Sequence, residues 1–319
     1  MKRRIAVIGA GVAGAVCARG LGESGARVTV FDKGRSVGGR LAQRRREGAI
    51  FDHGAQFIRP RDPVLTRLLQ AGVRAGVVAR WPAAEVDERP VFIGKPAMAT
   101  PLKMLLAEVP VETNCRITRL ARDAEGWWLE DAGDIRHGPF DAALIAIPPV
   151  QARALLNTLG DGAPAALVEA TETARLAPCW ALLLAFDPPL ELRHHDAKPL
   201  DTGPIAWIAR NTSKSGRAGR DAWTVHASPE WSTEPLEESP DVVAAELFAA
   251  FRAATGIDTV TPCHIEAHRW RYALVTEPVG TPALFDAEVG LGLCGDWCLG
   301  GKIEAAVLSG RALVKLVLN

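Results

Sequence analysis

The residues whose types and spacing could most readily do chemistry stand near the start of the chain, in Gly9-Ala10-Gly11-Val12-Ala13-Gly14. Glycines in G-x-G-x-x-G spacing permit a tight turn after a strand, bring backbone N–H groups against a pyrophosphate, and let the following helix pack closely. Asp32 lies 18 residues beyond Gly14, with Lys33 beside it, where a carboxylate accepts hydrogen bonds from ribose hydroxyls. Together these residues specify a dinucleotide cradle, open at this point to a nicotinamide or a flavin dinucleotide. The spacing recurs in Gly290-Leu291-Gly292-Leu293-Cys294-Gly295, but there the glycines lie within an apolar run that reads as a strand. That second match is no separate nucleotide fingerprint, and it argues against a second Rossmann unit for NAD(P)H.

Shortly after Asp32 comes Arg35-Ser36-Val37-Gly38-Gly39-Arg40-Leu41, which resembles the R-x-G-G-R signature of the flavin amine oxidase superfamily. The resemblance implies FAD, with the backbone at Gly39 close to the pyrophosphate, Arg40 pairing with it and Leu41 following. Five further blocks resemble bacterial renalases, in the same order and over nearly the whole chain. They are Asp52-His53-Gly54-Ala55-Gln56-Phe57, Gly94-Lys95-Pro96-Ala97-Met98, Ala209-Arg210-Asn211 with Ser213-Lys214, His268-Arg269-Trp270, and Cys294-Gly295-Asp296-Trp297-Cys298-Leu299. The resemblance implies a p-hydroxybenzoate-hydroxylase-like fold in which Gln56 and Phe57 pass near the isoalloxazine and the Ile117 backbone meets the adenine. Gly295 and Asp296 would touch the ribityl-phosphate portion, and the last helix would aim its N-terminal end, Ile303-Glu304-Ala305, at the flavin pyrimidine ring. Cys294 and Cys298 flank the late motif but read as buried thiols, so the FAD is expected to be non-covalent.

The renalase resemblance further implies hydride transfer from 2- or 6-dihydro isomers of NAD(P)H to flavin N5, giving NAD(P)+, with electrons passed on to oxygen or another acceptor. The ring nitrogen lone pair of the dihydropyridine drives that step, so no protein base is required. The chain accordingly offers neither a Ser-His-Asp order nor a metal-spaced cluster, and no catalytic side chain or metal is assigned. Lys95, Arg210, Asn211, Trp270 and Trp297 are the substrate candidates. Arg217 and Arg220, in the same basic loop as Arg210, read as solvated; His226 and His268 read as structural or surface groups, and His194-His195 as a solvated turn. Three other readings stay open: a flavin amine or polyamine oxidase, for whose aromatic walls only one tyrosine, Tyr272, is available; a non-catalytic flavin-binding sensor; and a biosynthetic desaturase.

Positioning these groups requires a βαβ unit, read in Ile5 to Ile8, Val12 to Leu21 and Arg27 to Phe31. Ala142 to Ile147 and Leu291 to Cys294 read as further buried strands of the same sheet. Cys179 to Phe186, Ile205 to Ala209 and Trp223 to Ala227 read as a second sheet, and Val242 to Ala254 and Ile303 to Val317 as helices. Most of the tryptophans are expected in the core. The expected class is α/β: a discontinuous Rossmann-type FAD-binding domain over 1–56, 98–148 and 286–319, and an α+β substrate domain over 57–97 and 149–285. Lys plus Arg number 37 and Asp plus Glu 37, so no net field gathers nucleic acid or acidic membrane. No apolar run is long enough to span a bilayer. The six scattered cysteines suit a reducing cytoplasm, and the expected partners are a small-molecule substrate and oxygen or another electron acceptor.

Overall fold

A computed structural model describes residues 2–85, 89–192, 196–200, 203–257 and 259–319. It divides into two compact units, Met1–Gly39 with Leu102–Leu176 and Val275–Asn319, and Arg40–Pro101 with Ala177–Leu274.

The first unit is built on a six-stranded sheet in the order Leu284–Asp286, Leu291–Leu293, Ala142–Ile145, Arg4–Ile8, Arg27–Phe31, Val111–Glu112. All neighbours pair in parallel except the first two, which are antiparallel. Ile5, Ala6, Val7 and Ala142 to Ile145 have no exposed surface, which is why the central strands read as continuous apolar runs. An antiparallel sheet of Ile117–Asp123, Gly126–Asp131 and Arg136–Phe140 adds Leu120, Trp127 and Leu129 to the same core. The helices Val12–Glu23 and Ile303–Leu318 cross closely, because Gly310 faces the Ala13 carbonyl: a Cβ at Gly310 would sit 2.4 Å from that oxygen.

The second unit carries a five-stranded sheet in the order Ala197–Pro199, Ile205–Arg210, Asp221–Ala227, Arg175–Phe186, His264–Glu277. The helix Pro240–Thr255 starts where Ser239 Oγ accepts from Val242 N and stops at Gly256, φ +72°. Its Val243, Leu247 and Phe251 cover the sheet, with Phe251 against Trp223 and Phe186. The unit also carries two hairpins, Gln43–Arg46 with Ala49–Asp52 and Val78–Arg80 with Phe92–Gly94.

The α/β class with a Rossmann-type unit is therefore present, and every strand and helix read from the sequence is found. The boundaries differ from those expected. Residues 40–56 group with the second unit because Ala49 and Phe51 pack with Leu183, Ala185 and Ala222. Residues 149–176 group with the first because Ala152, Leu155, Leu156, Leu167 and Ala170 fill the core around the parallel strands. Residues 275–285 join it too, because Leu284–Asp286 extends that sheet. His194 and His195 lie outside the described residues.

Candidate functional site

In the first unit, Gly9 holds the turn after Arg4–Ile8 at φ +108°, and a Cβ there would sit 2.6 Å from the Ala146 carbonyl oxygen. Gly14 is as tightly constrained, since its Cβ would lie 1.9 Å from the Gly9 oxygen. Gly11 differs. Nothing lies within 4 Å of a Cβ built on it, and it caps the Val12–Glu23 helix with no side-chain hydrogen bond and no acidic residue in the first turn. The positive end of that helix, with the N–H groups of Val12 and Ala13, is left to an anion from outside the turn. Asp32 ties the loop down: its two carboxylate oxygens accept from Ala10 N at 2.6 Å and Gly34 N at 2.7 Å. Gly38 N donates to Ala10 O at 2.9 Å, and Gly39, φ +54°, comes close enough that its Cβ would stand 3.5 Å from Gly11 Cα. Lys33 is exposed, with Nζ 3.3 Å from Gln151 Oε1.

The late motif belongs to the same unit. Gly295 N donates to Ser309 Oγ at 2.9 Å, and a Cβ on Gly295 would collide with the Trp297 indole. Asp296 is buried and opens the short turn Asp296–Cys298 ahead of the Ile303–Leu318 helix. That helix has Lys302 at its N-cap without a side-chain capping bond, Glu304 in its first turn and Ala305 buried. Ile117 opens its strand with its side chain in the core. Trp297 is buried in the core and donates Nε1 to Ile147 O at 3.0 Å. Cys294 and Cys298 are buried thiols as expected. A hydrogen bond with Cys17, and then burial, raise Cys294 well above the ordinary thiol range, and burial pushes Cys298 up to about 12.

The second unit concentrates its polar chemistry around Asp52, the last residue of a hairpin strand. Its Oδ2 accepts from Lys214 Nζ at 3.1 Å and from Arg217 Nη2 at 2.8 Å and Nε at 3.2 Å, all in groups with essentially no exposed surface. Lys214 also donates to Gln56 Oε1 at 2.8 Å and lies over the Trp81 ring. Gln56 Nε2 donates to the carbonyls of Asp52 and Gly54. Burial draws the Lys214 ammonium from its ordinary 10.5 down to about 8, against the pull of Asp52 and with the push of Arg217. Asp52 Oδ1 has no hydrogen-bond partner among the described residues.

Beside this cluster is a wall of neutral rings. The His53 carbonyl accepts from Trp270 Nε1 at 2.8 Å and from His226 Nε2 at 3.3 Å, and the His53, His268 and Trp270 rings pack at 4.7–5.0 Å. Burial lowers His53 from 6.5 to about 3, aided by His268 and Arg44; burial likewise lowers His226 and His268 to about 4. Gly54 is required because the chain passes under Arg40, whose carbonyl would stand 2.0 Å from its Cβ and accepts from Ala55 N at 2.9 Å. The Arg40 guanidinium donates to Ala273 O at 2.9 Å, Leu41 is buried, and Phe57 packs against Trp81 and Trp207.

Two of the substrate candidates make contacts within the framework. Arg210 pairs with Asp221 at 2.6 Å and lies over Trp223; Asn211 is fully buried, accepting from Asp52 N and donating to Thr224 Oγ1. Lys95 is exposed in its turn, Trp270 is partly exposed on the ring wall, and Arg220 is exposed as expected. Arg217 overturns the solvated reading: it is buried on Asp52 and on the Gly94 carbonyl. Asp52 and His53 lay inside the quoted blocks without a role, and their only signal was that membership; Lys214 had in addition its place in the basic loop Arg210 to Arg220, which could clamp the phosphates of a dinucleotide.

Residues 7–71 match the NAD(P)-binding Rossmann-like domain, and residues 83–318 match the flavin containing amine oxidoreductase family. The chain belongs to the flavin containing amine oxidoreductases. It resembles cyclohexylamine oxidase from Brevibacterium oxydans IH-35A at a TM-score of 0.75 and 13% identity, over 99% of each chain. It also resembles an oxidoreductase from Methanosarcina mazei at 0.67 and 14%, over 98% of this chain and 100% of that one. Among sequences, 4,4'-diapophytoene desaturase (4,4'-diaponeurosporene-forming) of Staphylococcus haemolyticus is 44% identical over 54 residues, 17% of this chain and 11% of the desaturase. The chain thus spans about a tenth of the length of the curated relatives it matches. This flavin containing amine oxidoreductase takes FAD, and the open space at Gly11 beside an uncapped helix end fits a pyrophosphate. Among the described residues, no helix is long and apolar enough to cross a membrane.

Proposed function

We propose that this oxidoreductase is of renalase type, oxidising 2- or 6-dihydro isomers of NAD(P)H to NAD(P)+ with a non-covalent FAD that is reoxidised by oxygen or another acceptor. The observation that carries the reading is convergence within the second unit. The blocks at 52–57, 213–214 and 268–270, far apart in sequence, meet through Asp52, Lys214, Gln56, His53 and Trp270. Bound FAD supplies a two-electron acceptor at flavin N5. Gly9, Gly11, Val12, Ala13 and Gly14 would hold its pyrophosphate and Asp32 the adenosine ribose, with Ile117, Gly295, Asp296 and 303–305 completing the first unit's share. In the second unit, Trp270 and His53 would present uncharged aromatic surface to the substrate ring, excluding water and orienting the dihydropyridine. Lys214 and Arg217 outnumber Asp52 by one charge, and a surplus cation in a water-excluded cluster stabilises negative charge arriving nearby. Histidines held neutral by burial suit a step that needs no proton removed.

Amine oxidation is the second reading, favoured by the aromatic group Phe57, Trp81 and Trp207, which could frame an apolar amine without tyrosine. One experiment separates the two. Anaerobic holoprotein is mixed with 2- and 6-dihydroNAD(P) and, separately, with primary amines, while the oxidised-flavin absorbance is followed. Bleaching by the dihydropyridines with release of NAD(P)+ is expected. Bleaching by amines alone transfers the assignment to amine oxidation, and bleaching by neither removes both.

A further inference from the structure

Away from the cradle and the Asp52 cluster, three side chains of the first unit meet around a point. Cys115 precedes the strand Ile117–Asp123, Asp131 ends Gly126–Asp131, and His137 lies in Arg136–Phe140. Cys115 Sγ is 3.5 Å from Asp131 Oδ2 and 3.7 Å from His137 Nε2, and Nε2 is 3.0 Å from Oδ2. In a nucleophilic relay the carboxylate and the thiol address opposite nitrogens of the imidazole. Here both address Nε2, and they also address each other, so the arrangement is a triangle. A triangle with these sides has its centre about 2 Å from every corner, close to the ~2.0–2.3 Å lengths of zinc bonds to oxygen, nitrogen and sulfur.

We propose that Cys115, Asp131 and His137 form a binding site for one borderline-soft divalent cation, Zn2+ by donor chemistry. A thiolate, an imidazole and a carboxylate match the ligand preference of zinc and not that of calcium or magnesium, which take oxygen. Three protein ligands leave a fourth tetrahedral position for water or a small ligand. On binding, the Cys115 sulfur exchanges its proton for the metal and the proton passes to solvent; thiolate and carboxylate then balance the dication.

The surroundings hold the donors in place. Asp131 Oδ1 accepts from Gly133 N at 2.8 Å and Ile135 N at 3.1 Å, which orients the carboxylate with Oδ2 toward the other two donors. The His137 ring packs on Phe31 at 5.0 Å between centroids. Cys115 and Asp131 are buried, whereas the His137 side chain keeps 22% of its surface exposed, which supplies an entry path. The ion would also brace the dinucleotide cradle. Cys115 N donates to Asp32 O, Asn114 N to Gly34 O, and Asp32 N to Glu112 O, each at 2.9 Å, so the segment carrying Cys115 is zipped to the residues around the cradle's carboxylate.

The test uses untagged FAD-loaded protein, dialysed against a chelator and then titrated with ZnCl2 in competition with a chromophoric zinc indicator. One Zn2+ per chain is expected, with a loss of at least tenfold in affinity in Cys115→Ser and in His137→Gln, each shown to be folded by its circular dichroism. Zinc K-edge absorption fine structure on the wild-type protein gives a readout that needs no variant: one sulfur at about 2.3 Å together with nitrogen or oxygen at about 2.0 Å. Failure of the wild-type protein to compete with the indicator overturns the proposal. A first shell with no sulfur or with two does so as well, as does unchanged affinity in folded Cys115→Ser.

Discussion

Asp52 carries two buried cations on a single carboxylate oxygen, and that geometry fixes what its loss would do. Asp52→Asn keeps the shape but removes the charge that holds Lys214 up against burial and Arg217, so Lys214 gives up its proton and Arg217 is left buried without a counter-ion; a cost of about 3–5 kcal/mol is expected in urea unfolding. Adding Lys214→Met to that variant removes the buried amine and its repulsion of Arg217 and is expected to recover part of the loss; no recovery would mean the cluster is held by packing instead of electrostatics. The cluster was illegible in the sequence for a physical reason. Lys214 and Arg217 sit among serine and glycine, the composition of a solvated loop, and the carboxylate that buries them lies 162 and 165 residues away. Asp32 was legible because the backbone N–H it accepts from, at Ala10, is only 22 residues earlier, within one βαβ unit of regular length.

At the scale of elements, close approach of backbones decides more than side-chain chemistry. Gly310 lets the last helix cross the first, and a methyl group there would collide with the Ala13 carbonyl and crowd the Val16 side chain, so Gly310→Ala is expected to cost about 1–3 kcal/mol through overpacking. Thermal unfolding would read this as a drop of several degrees. Two of the cradle glycines are expected to separate by the same logic. Gly14→Ala forces the turn apart and loses both stability and flavin, whereas Gly11→Ala meets no protein atom and loses flavin alone, measured as the flavin-to-protein absorbance ratio. Equal stability losses in both would refute that distinction. The apolar spacing of Ile303–Leu318 announced the helix, but nothing in the sequence alone marked Gly310 as its contact. The long strand His264–Glu277 went unread because it is a half-exposed edge, rich in polar residues and without the clean alternation of a half-buried strand. The triangle at Cys115, Asp131 and His137 escaped for a related reason: its members come from two neighbouring strands and the segment leading into a third, and no metal-ligand spacing is written along any one of them.

For the molecule as a whole, composition excluded a strong field but could not say which charges are buried, and the interleaved units show why boundaries were harder than elements. Each unit takes three or two separate pieces of chain, and a cut follows the core a segment joins, as Ala49 and Phe51 do, not the composition of the loop that precedes it. The same burial sets the response to acid. His53, His226 and His268 are held far below 6.5 in the folded state, so between about 6.5 and 4 the unfolded chain binds protons that the folded chain refuses. Stability therefore falls as pH drops through that window, by up to about 1.4 kcal/mol per pH unit for each such histidine. Carboxylates held low by their partners, such as Asp221 and Glu266, add to the loss only below their ordinary values of 3.8 and 4.5, so from 6.5 to about 5 it belongs to the buried imidazoles. Urea midpoints measured at intervals from pH 7 to 5 are expected to decline steadily. In His226→Gln, whose amide can still donate to the His53 carbonyl but takes no proton, the decline should be shallower by one proton's worth. A flat profile in the wild-type protein would mean that these rings are open to water in the folded state, and the neutral wall proposed to face the substrate would fall with it.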